Sequence, residues 1–364
     1  MQNYKLFTPG PLNISSNVRS AMNVDIGSRT KTIVELTKTI RMDLESIAKC
    51  GINYTSILLQ GSGTFATEAM ILSLIDNNDH VLVVSNGVYS ERIYKICTIH
   101  KINCLILKSE NTAPIKIEKI RECLQKERKI TTIIAVQFET TIGILNDVNE
   151  LISLASNYNC QVLIDAISSF GVLPLNYTDA LTAVVSSSNK CLHGAPGVAF
   201  VIVNKKRLIK SKLNKTLSLD LKAQWQEFED SGQWRFTPPT HILLGFKEAL
   251  NEFKKLGGMS ARLKKYTYLT NKLIEGLAKI DIYPVIRDEY RASIITTFIL
   301  GDSHSITTDI LYEKLFHLRI VIYSSDLIPG KTFRIGCMGD LDIDDIKSLI
   351  NAITTVISSY WRPD

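Results

Sequence analysis

Seven short apolar runs between residues 56 and 203 each stop on small or polar residues, and most are separated by stretches of helical spacing. The runs are 56–59, 81–84, 104–107, 132–136, 161–164, 183–186 and 198–203. A run that is apolar throughout reads as a strand covered on both faces. Such strands alternating with helices read as a mainly parallel, seven-stranded sheet of the α/β class. The intervening helices are expected from about Phe65 and over 88–100, 115–126 and 148–157. They are preceded by helices over 16–23 and about 31–49, where Ile33, Leu36, Ile40, Leu44 and Ile47 recur on one face. In sheets of this kind ligands sit beyond the C-terminal ends of the strands. Here those ends carry Gln60-Gly61-Ser62-Gly63, Ser85-Asn86-Gly87, Glu139-Thr140-Thr141, Asp165 and Ser188-Asn189-Lys190.

Past residue 203 the alternation breaks. Residues 205–240, with Trp225, Trp234 and Phe236, read as an irregular excursion rich in aromatics. A long helix is expected over 240–256, a break at Gly257-Gly258, and a helix over 259–278. A smaller α/β unit follows, with strands at 294–298, 320–323 and 332–335 and helices at 307–317 and 343–358. The expected division is an N-terminal segment, 1–15, packing with the small domain; a large domain, 16–256; and a small C-terminal domain, 257–364.

The net charge of +6 is scattered, with no basic run interleaved with aromatics, which argues for anionic small molecules and against nucleic acid. The seven cysteines are isolated, without CxxC or Cys/His ligand spacing, so a metal site is not expected and reduced thiols in a cytoplasm are. The first residues lack the pattern of a signal peptide, and no apolar run is long enough to span a membrane.

The strand ends carry the chemistry. Lys190 lies between two apolar runs; burial there strips water from the ammonium and makes the neutral, nucleophilic amine accessible, as a Schiff-base lysine requires. Asp165 ends an earlier strand at the same edge. A pyridine ring fits between them, its protonated nitrogen on the carboxylate and its aldehyde on the lysine, which is what pyridoxal 5'-phosphate asks of a protein. Its phosphate then needs a helix N-terminus, and the Gly61-Ser62-Gly63-Thr64 turn offers one. Tyr89 is the aromatic placed to cover the ring.

The chain resembles the class V aminotransferases of fold-type I. The similar stretches include Phe7-Thr8-Pro9-Gly10-Pro11, Leu58-Leu59-Gln60-Gly61-Ser62-Gly63, Ser85-Asn86-Gly87, Ile164-Asp165-Ala166, Ser188-Asn189-Lys190 and Phe333-Arg334-Ile335-Gly336. Within that class, Leu217-Ser218-Leu219-Asp220-Leu221, Gln224-Trp225 and Trp234-Arg235-Phe236-Thr237-Pro238-Pro239 point to the branch acting on 2-aminoethylphosphonate and pyruvate. The resemblance implies that Lys190 carries the cofactor and shuttles the substrate proton, and that Asp165 keeps the ring nitrogen protonated. Ser62, Gly63 and Thr64 hold the phosphate, Tyr89 stacks on the ring, and Thr140 or Thr141 reaches the ring hydroxyl or the substrate. Thr240 reaches the phosphate of a neighbouring subunit, which implies a homodimer with shared sites. Arg334 binds the substrate carboxylate and, with Arg29 as a second cation, the phosphonate.

Two departures stand out. Asp25-Ile26-Gly27-Ser28-Arg29 replaces an acidic segment of many relatives, and Ile142 stands where a threonine is commoner. Three other readings stay open: alanine–glyoxylate or serine–pyruvate transamination, and a non-catalytic protein that kept the fold. A cysteine desulfurase fits less well, since Cys191 and Cys337 are flanked by ordered segments rather than a mobile loop.

Overall fold

A computed structural model describes residues 3–110, 112–211, 215–301 and 305–360. The outer ends of the expected division, 1–2 and 361–364, lie outside these. After β1 (Lys5–Leu6), α1 (Ser16–Ala21) and α2 (Lys31–Ala48), the chain forms β2 (Tyr54–Gly61), α3 (Gly63–Leu74), β3 (Val81–Ser85), α4 (Val88–Ile99), β4 (Cys104–Lys108), α5 (Ile117–Lys126) and β5 (Thr132–Val136). The two-residue strands β6 (Phe138–Glu139) and β7 (Ile144–Leu145) form a hairpin before α6 (Val148–Asn157), β8 (Gln161–Asp165), β9 (Leu181–Ser187) and β10 (Gly197–Asn204). Helices α7 (Lys205–Lys210), α8 (Leu221–Asp230), α9 (Thr240–Lys255) and α10 (Gly258–Ala278) follow. The remainder is β11 (Ile282–Pro284), β12 (Ile295–Leu300), α11 (Thr308–His317), β13 (Ile320–Val321), β14 (Tyr323–Ser324), β15 (Thr332–Gly336) and α12 (Ile343–Ser358).

The large sheet has seven strands in the order β2-β10-β9-β8-β5-β3-β4. Every pairing is parallel except those of β10, which runs antiparallel to both β2 and β9. The reversal brings the start of β10 to the edge where its neighbours end: Gly197 pairs with Gly61, and Ala199 with Ser187. Asp165 and Val136 pair across β8 and β5 at the same edge. The ends of β2, β9, β8, β5 and β3 therefore converge on one ledge.

Each helix is held by the apolar face its spacing creates. In α2 the buried Ile33, Leu36, Ile40 and Leu44 form that face, and the Thr30 side chain caps its first turn by accepting from the Ile33 N–H. Each fully buried leucine or isoleucine contributes about 1.5–3 kcal/mol, against about 1 kcal/mol for a cap, so packing fixes the helix and the cap sets where it starts. Helix α3 is buried almost all round, being pressed between the sheet and α8.

A second sheet, β11-β12-β15-β14, is fully antiparallel and shares a core with α10, α11 and α12. Phe298 stacks on Phe333 at its centre. Residues 5–7 join this region: Lys5 and Leu6 pair with Ile320 and Val321, the Phe7 N–H reaches Val321 O, and Gly336 N–H returns to Phe7 O.

Three sequence expectations change. Helix α3 starts at Gly63, not Phe65, so Gly63 and Thr64 belong to its first turn. The excursion at 205–240 contains two helices, α7 and α8, capped by the side chains of Asn204 and Asp220. The single strand expected at 320–323 is split: β13 pairs with β1, and β14 with β15, on either side of the buried Ile322. Among the described residues, no helix is long and apolar enough to cross a membrane, and no group of three or more acidic, histidine or cysteine side chains could hold a metal ion. All seven cysteines are free.

Candidate active site

The ledge encloses a cavity of 190 Å³ whose lining includes Ser62, Gly63, Thr64, Tyr89, Asp165 and Lys190. Lys190 follows β9 in a loop closed by its own backbone. His193 N–H reaches Lys190 O at 2.9 Å, Gly194 N–H reaches Ser188 O at 2.8 Å, and the Ser188 hydroxyl donates to Ala195 O at 2.6 Å. Arg262 of α10 clamps the next residue by donating to Cys191 O at 2.8 Å. The lysine Nζ donates to Pro9 O at 2.6 Å. Gly10 lets the N-terminal segment come that close: a Cβ there would lie 2.6 Å from Nζ, and its φ of +123° suits glycine.

Asp165 ends β8, and its Oδ1 accepts the Ile167 N–H at 2.9 Å. Ile167 then lies against Gly63, where a Cβ would meet the isoleucine side chain at 2.6 Å. A glycine at the first position of α3 thus lets Asp165's loop and the helix N-terminus share one wall. The N–H groups of Gly63, Thr64 and Phe65 fall outside the helical ladder, and Ser62 makes no side-chain cap bond, so donors and hydroxyls stand together at the positive end of the helix.

Burial sets the electrostatics. It lowers the Lys190 pKa from 10.5 to about 8, against the opposing pull of Cys191 and Asp165. At pH 7.5 about a quarter of such amines are neutral, against about one in a thousand for a free lysine. Burial raises Asp165 from 3.8 to about 7, with Glu139 adding to the rise and the Ile167 N–H, Arg92 and Lys190 opposing it. Among the described residues Asp165 has no ion-pair partner. A buried carboxylate with one hydrogen bond and no cation is costly, and a cationic partner from outside the chain relieves that cost.

The family model for aminotransferase class-V matches residues 12–316. This chain belongs to the class V aminotransferase family. It is 37% identical over 365 residues to a 2-aminoethylphosphonate–pyruvate transaminase of Klebsiella pneumoniae, covering 99% of each chain. It is 36% identical over 354 residues to one of Bacillus cereus, covering 96% of this chain and 97% of the relative. Among solved structures, an alanine–glyoxylate aminotransferase from Nostoc sp. superposes with a TM-score of 0.91 at 22% identity, covering 98% of this chain and 96% of that one, a likeness of fold.

Class V aminotransferases work with pyridoxal phosphate, and the residues present fit it. The unpaired Asp165 suits the ring nitrogen. The helix N-terminus suits the phosphate, and the Ser187 hydroxyl, buried without a partner in the cavity wall, is a further donor for such an oxyanion. The remaining sequence candidates fall into two groups. Thr141 and Arg334 line a smaller cavity of 120 Å³ with Gly87. The Arg334 Nη1 donates to Thr140 O at 3.0 Å and Nη2 to Ser324 O at 3.3 Å, while its Nε is buried without a partner. The two threonines differ: the Thr141 hydroxyl is spent on Glu139, while the Thr140 hydroxyl is buried and free. Thr240, the first residue of α9, and the exposed Arg29 stand away from both cavities; the neighbouring His241 contacts Asp25 at 3.0 Å.

Sequence reasoning missed Ser187 and Arg92 and gave Asn189 no role, and all three line the Lys190 cavity of this class V aminotransferase. Arg92 lies 4.9 Å from the Tyr89 ring centre and donates to the Thr64 hydroxyl at 3.2 Å. It sits three residues after Tyr89 on one helix, and that spacing was the available signal. The Pro9 carbonyl left no signal, because a backbone acceptor has no residue identity.

Proposed function

We propose that this chain catalyses transamination between 2-aminoethylphosphonate and pyruvate, giving phosphonoacetaldehyde and L-alanine. The observation that carries the reaction is Lys190 and Asp165 on one cavity at a helix N-terminus. The likeness along nearly the whole chain to relatives named for that reaction supports the substrates. Bound pyridoxal phosphate supplies the electron sink into which the substrate's Cα–H electron pair is drawn.

The chain's own groups do the rest. The Lys190 Nζ, neutral in a substantial fraction, would hold the cofactor and, when free, would accept the proton from the carbon that bears the substrate amine. An Asp165 oxygen keeps a proton on the ring nitrogen. Ser62, Gly63 and Thr64 bind the phosphate through the first turn of α3, and Tyr89 orients the ring. Arg334 offers its fork to the substrate carboxylate, with Arg29 as the second cation for the phosphonate. Of the two threonine hydroxyls only that of Thr140 is without a partner among the described residues, and it is buried outside both cavities.

The same reading makes the protein a cytoplasmic homodimer. Exposed Phe65, Leu217 and Phe236 stand at or near a groove that runs along Leu59, Gly61 and Trp234, and a second copy covers this surface, bringing its Thr240 to the phosphate. The large and small domains meet near residue 257, with the N-terminal segment on the small one. Half-reaction spectroscopy tests the function: 2-aminoethylphosphonate and alanine each convert the bound cofactor to its amine form, and serine does not. Conversion by serine or alanine alone would replace this reading with another class V transamination.

A further inference from the structure

Glu139 is fully buried beside the site, yet none of the steps above uses it. Helix α4 has Gly87 at its N-cap, with no side chain to cap it. The Glu139 carboxylate arrives from the end of β6 and does so instead: Oε2 accepts the Tyr89 N–H at 3.2 Å and the Ser90 N–H at 3.4 Å. The other oxygen, Oε1, accepts the Thr141 hydroxyl at 2.6 Å and the Thr141 N–H at 3.5 Å. Gly87 is required by this approach, since a Cβ there would lie 2.3 Å from the glutamate Cγ.

A serine or asparagine at position 87 would cap α4 locally and more simply. What a local cap cannot do is join α4 to the turn at 140–141, whose Thr140 carbonyl holds Arg334. Three backbone N–H groups and the Thr141 hydroxyl face the carboxylate, so an amide at 139 can keep its oxygen on the α4 N–H groups only by reversing the Thr141 hydroxyl and turning its NH2 against the Thr141 N–H. We propose that Glu139 is a positioning residue that fixes the Tyr89 ring and the Thr140–Arg334 contact at one spacing, so that the cofactor's stacking face and the substrate's anion subsite are set together. The inference rests on the roles given above to Tyr89 and Arg334.

The test uses the full-length protein with pyridoxal phosphate as the probe, comparing wild type, Glu139→Gln and Thr141→Val. Three quantities are read: the dissociation constant of the cofactor, the induced circular dichroism of the bound cofactor at saturation, and KM against kcat for pyruvate. Glu139→Gln weakens cofactor binding about tenfold and raises the pyruvate KM about tenfold, as expected for losing charge-assisted bonds. It also changes the induced dichroism, which follows the tilt of the ring. Thr141→Val keeps the cap on α4 and breaks the shortest link to the turn, so it raises KM while leaving the cofactor's dissociation constant near that of wild type. If Glu139→Gln only lowers the melting temperature, with dichroism and KM unchanged, Glu139 is a helix cap and the proposal is overturned. If Glu139→Gln does not fold, Thr141→Val decides alone, and an unchanged KM overturns it. Wild-type protein that takes up no pyridoxal phosphate brings down the functional reading and this inference with it; wild type that transaminates beside indifferent variants brings down the inference only.

Discussion

Replacing Asp165 with asparagine should stabilise the cofactor-free protein, and should do so in a pH-dependent way. The carboxylate has one backbone donor and no ion-pair partner among the described residues, and burial raises its pKa from 3.8 to about 7. With the folded-state pKa above the unfolded one, the folded form keeps a proton that the unfolded form has already released. The stability tied to this proton is fully present below about pH 4 and is lost as the pH rises through about 7. At about 1.4 kcal/mol per unit, the loss across the whole window is about 4 kcal/mol, and from pH 5 to 8 it is about 3 kcal/mol. Asparagine does not titrate and still accepts from Ile167. The Asp165→Asn variant therefore gains about 3 kcal/mol on wild type between pH 5 and 8. Urea unfolding of the two proteins, stripped of cofactor and held at one concentration, measures this at half-unit pH steps, with equal m-values as the check on two-state behaviour. A gap that stays constant over that range would show that Asp165 does not titrate there, and the argument for an external cationic partner would fail. With cofactor added the order reverses, because only the carboxylate gains an opposite charge.

Two further outcomes follow from the geometry. Gly10→Ala places a methyl 2.6 Å from the Lys190 Nζ in a backbone conformation that disfavours alanine; it costs about 1–3 kcal/mol of stability, read by thermal melting, and slows formation of the borohydride-trappable cofactor adduct on Lys190. Arg334→Gln removes the cationic fork and raises the KM for pyruvate about 10- to 100-fold, from the worth of charge-assisted hydrogen bonds, with a smaller change in kcat; steady-state kinetics with pyruvate varied reads both.

The sequence made the sheet legible because each strand is apolar along its whole length and each ends on polar residues, so both the layer and its functional edge could be placed. It could not show that β10 is reversed. A strand buried on both faces carries the same residues in either direction, and only pairing register distinguishes them. Helix α8 was hidden by aromatics that read as irregular surface and α7 by its shortness, although Asn204 and Asp220 are ordinary cap residues. At the site, Lys190, Asp165 and the glycine-rich turn announced themselves by residue type and position. Glu139 stood in a segment read for its threonines, and its work is done on a helix 50 residues earlier in the chain. Contacts of that separation leave no local pattern. The Pro9 carbonyl and the Arg262 clamp were hidden for the same reason.

The hold of Pro9 on Lys190 has a consequence for how the protein comes into being. The strand that carries Pro9 to the lysine is itself secured by Arg319, Val321 and Gly336. During synthesis the large sheet can close, with Lys190 already in its hydrogen-bonded loop, well before those anchors emerge from the ribosome. Until nearly all the rest of the chain is made, the opening residues have only their local bonds, such as those of Asn13 to Leu6 and Tyr4. Lys190 is made midway but finished last, so a chain stopped short of β13 carries the reactive amine without the acceptor that aims it.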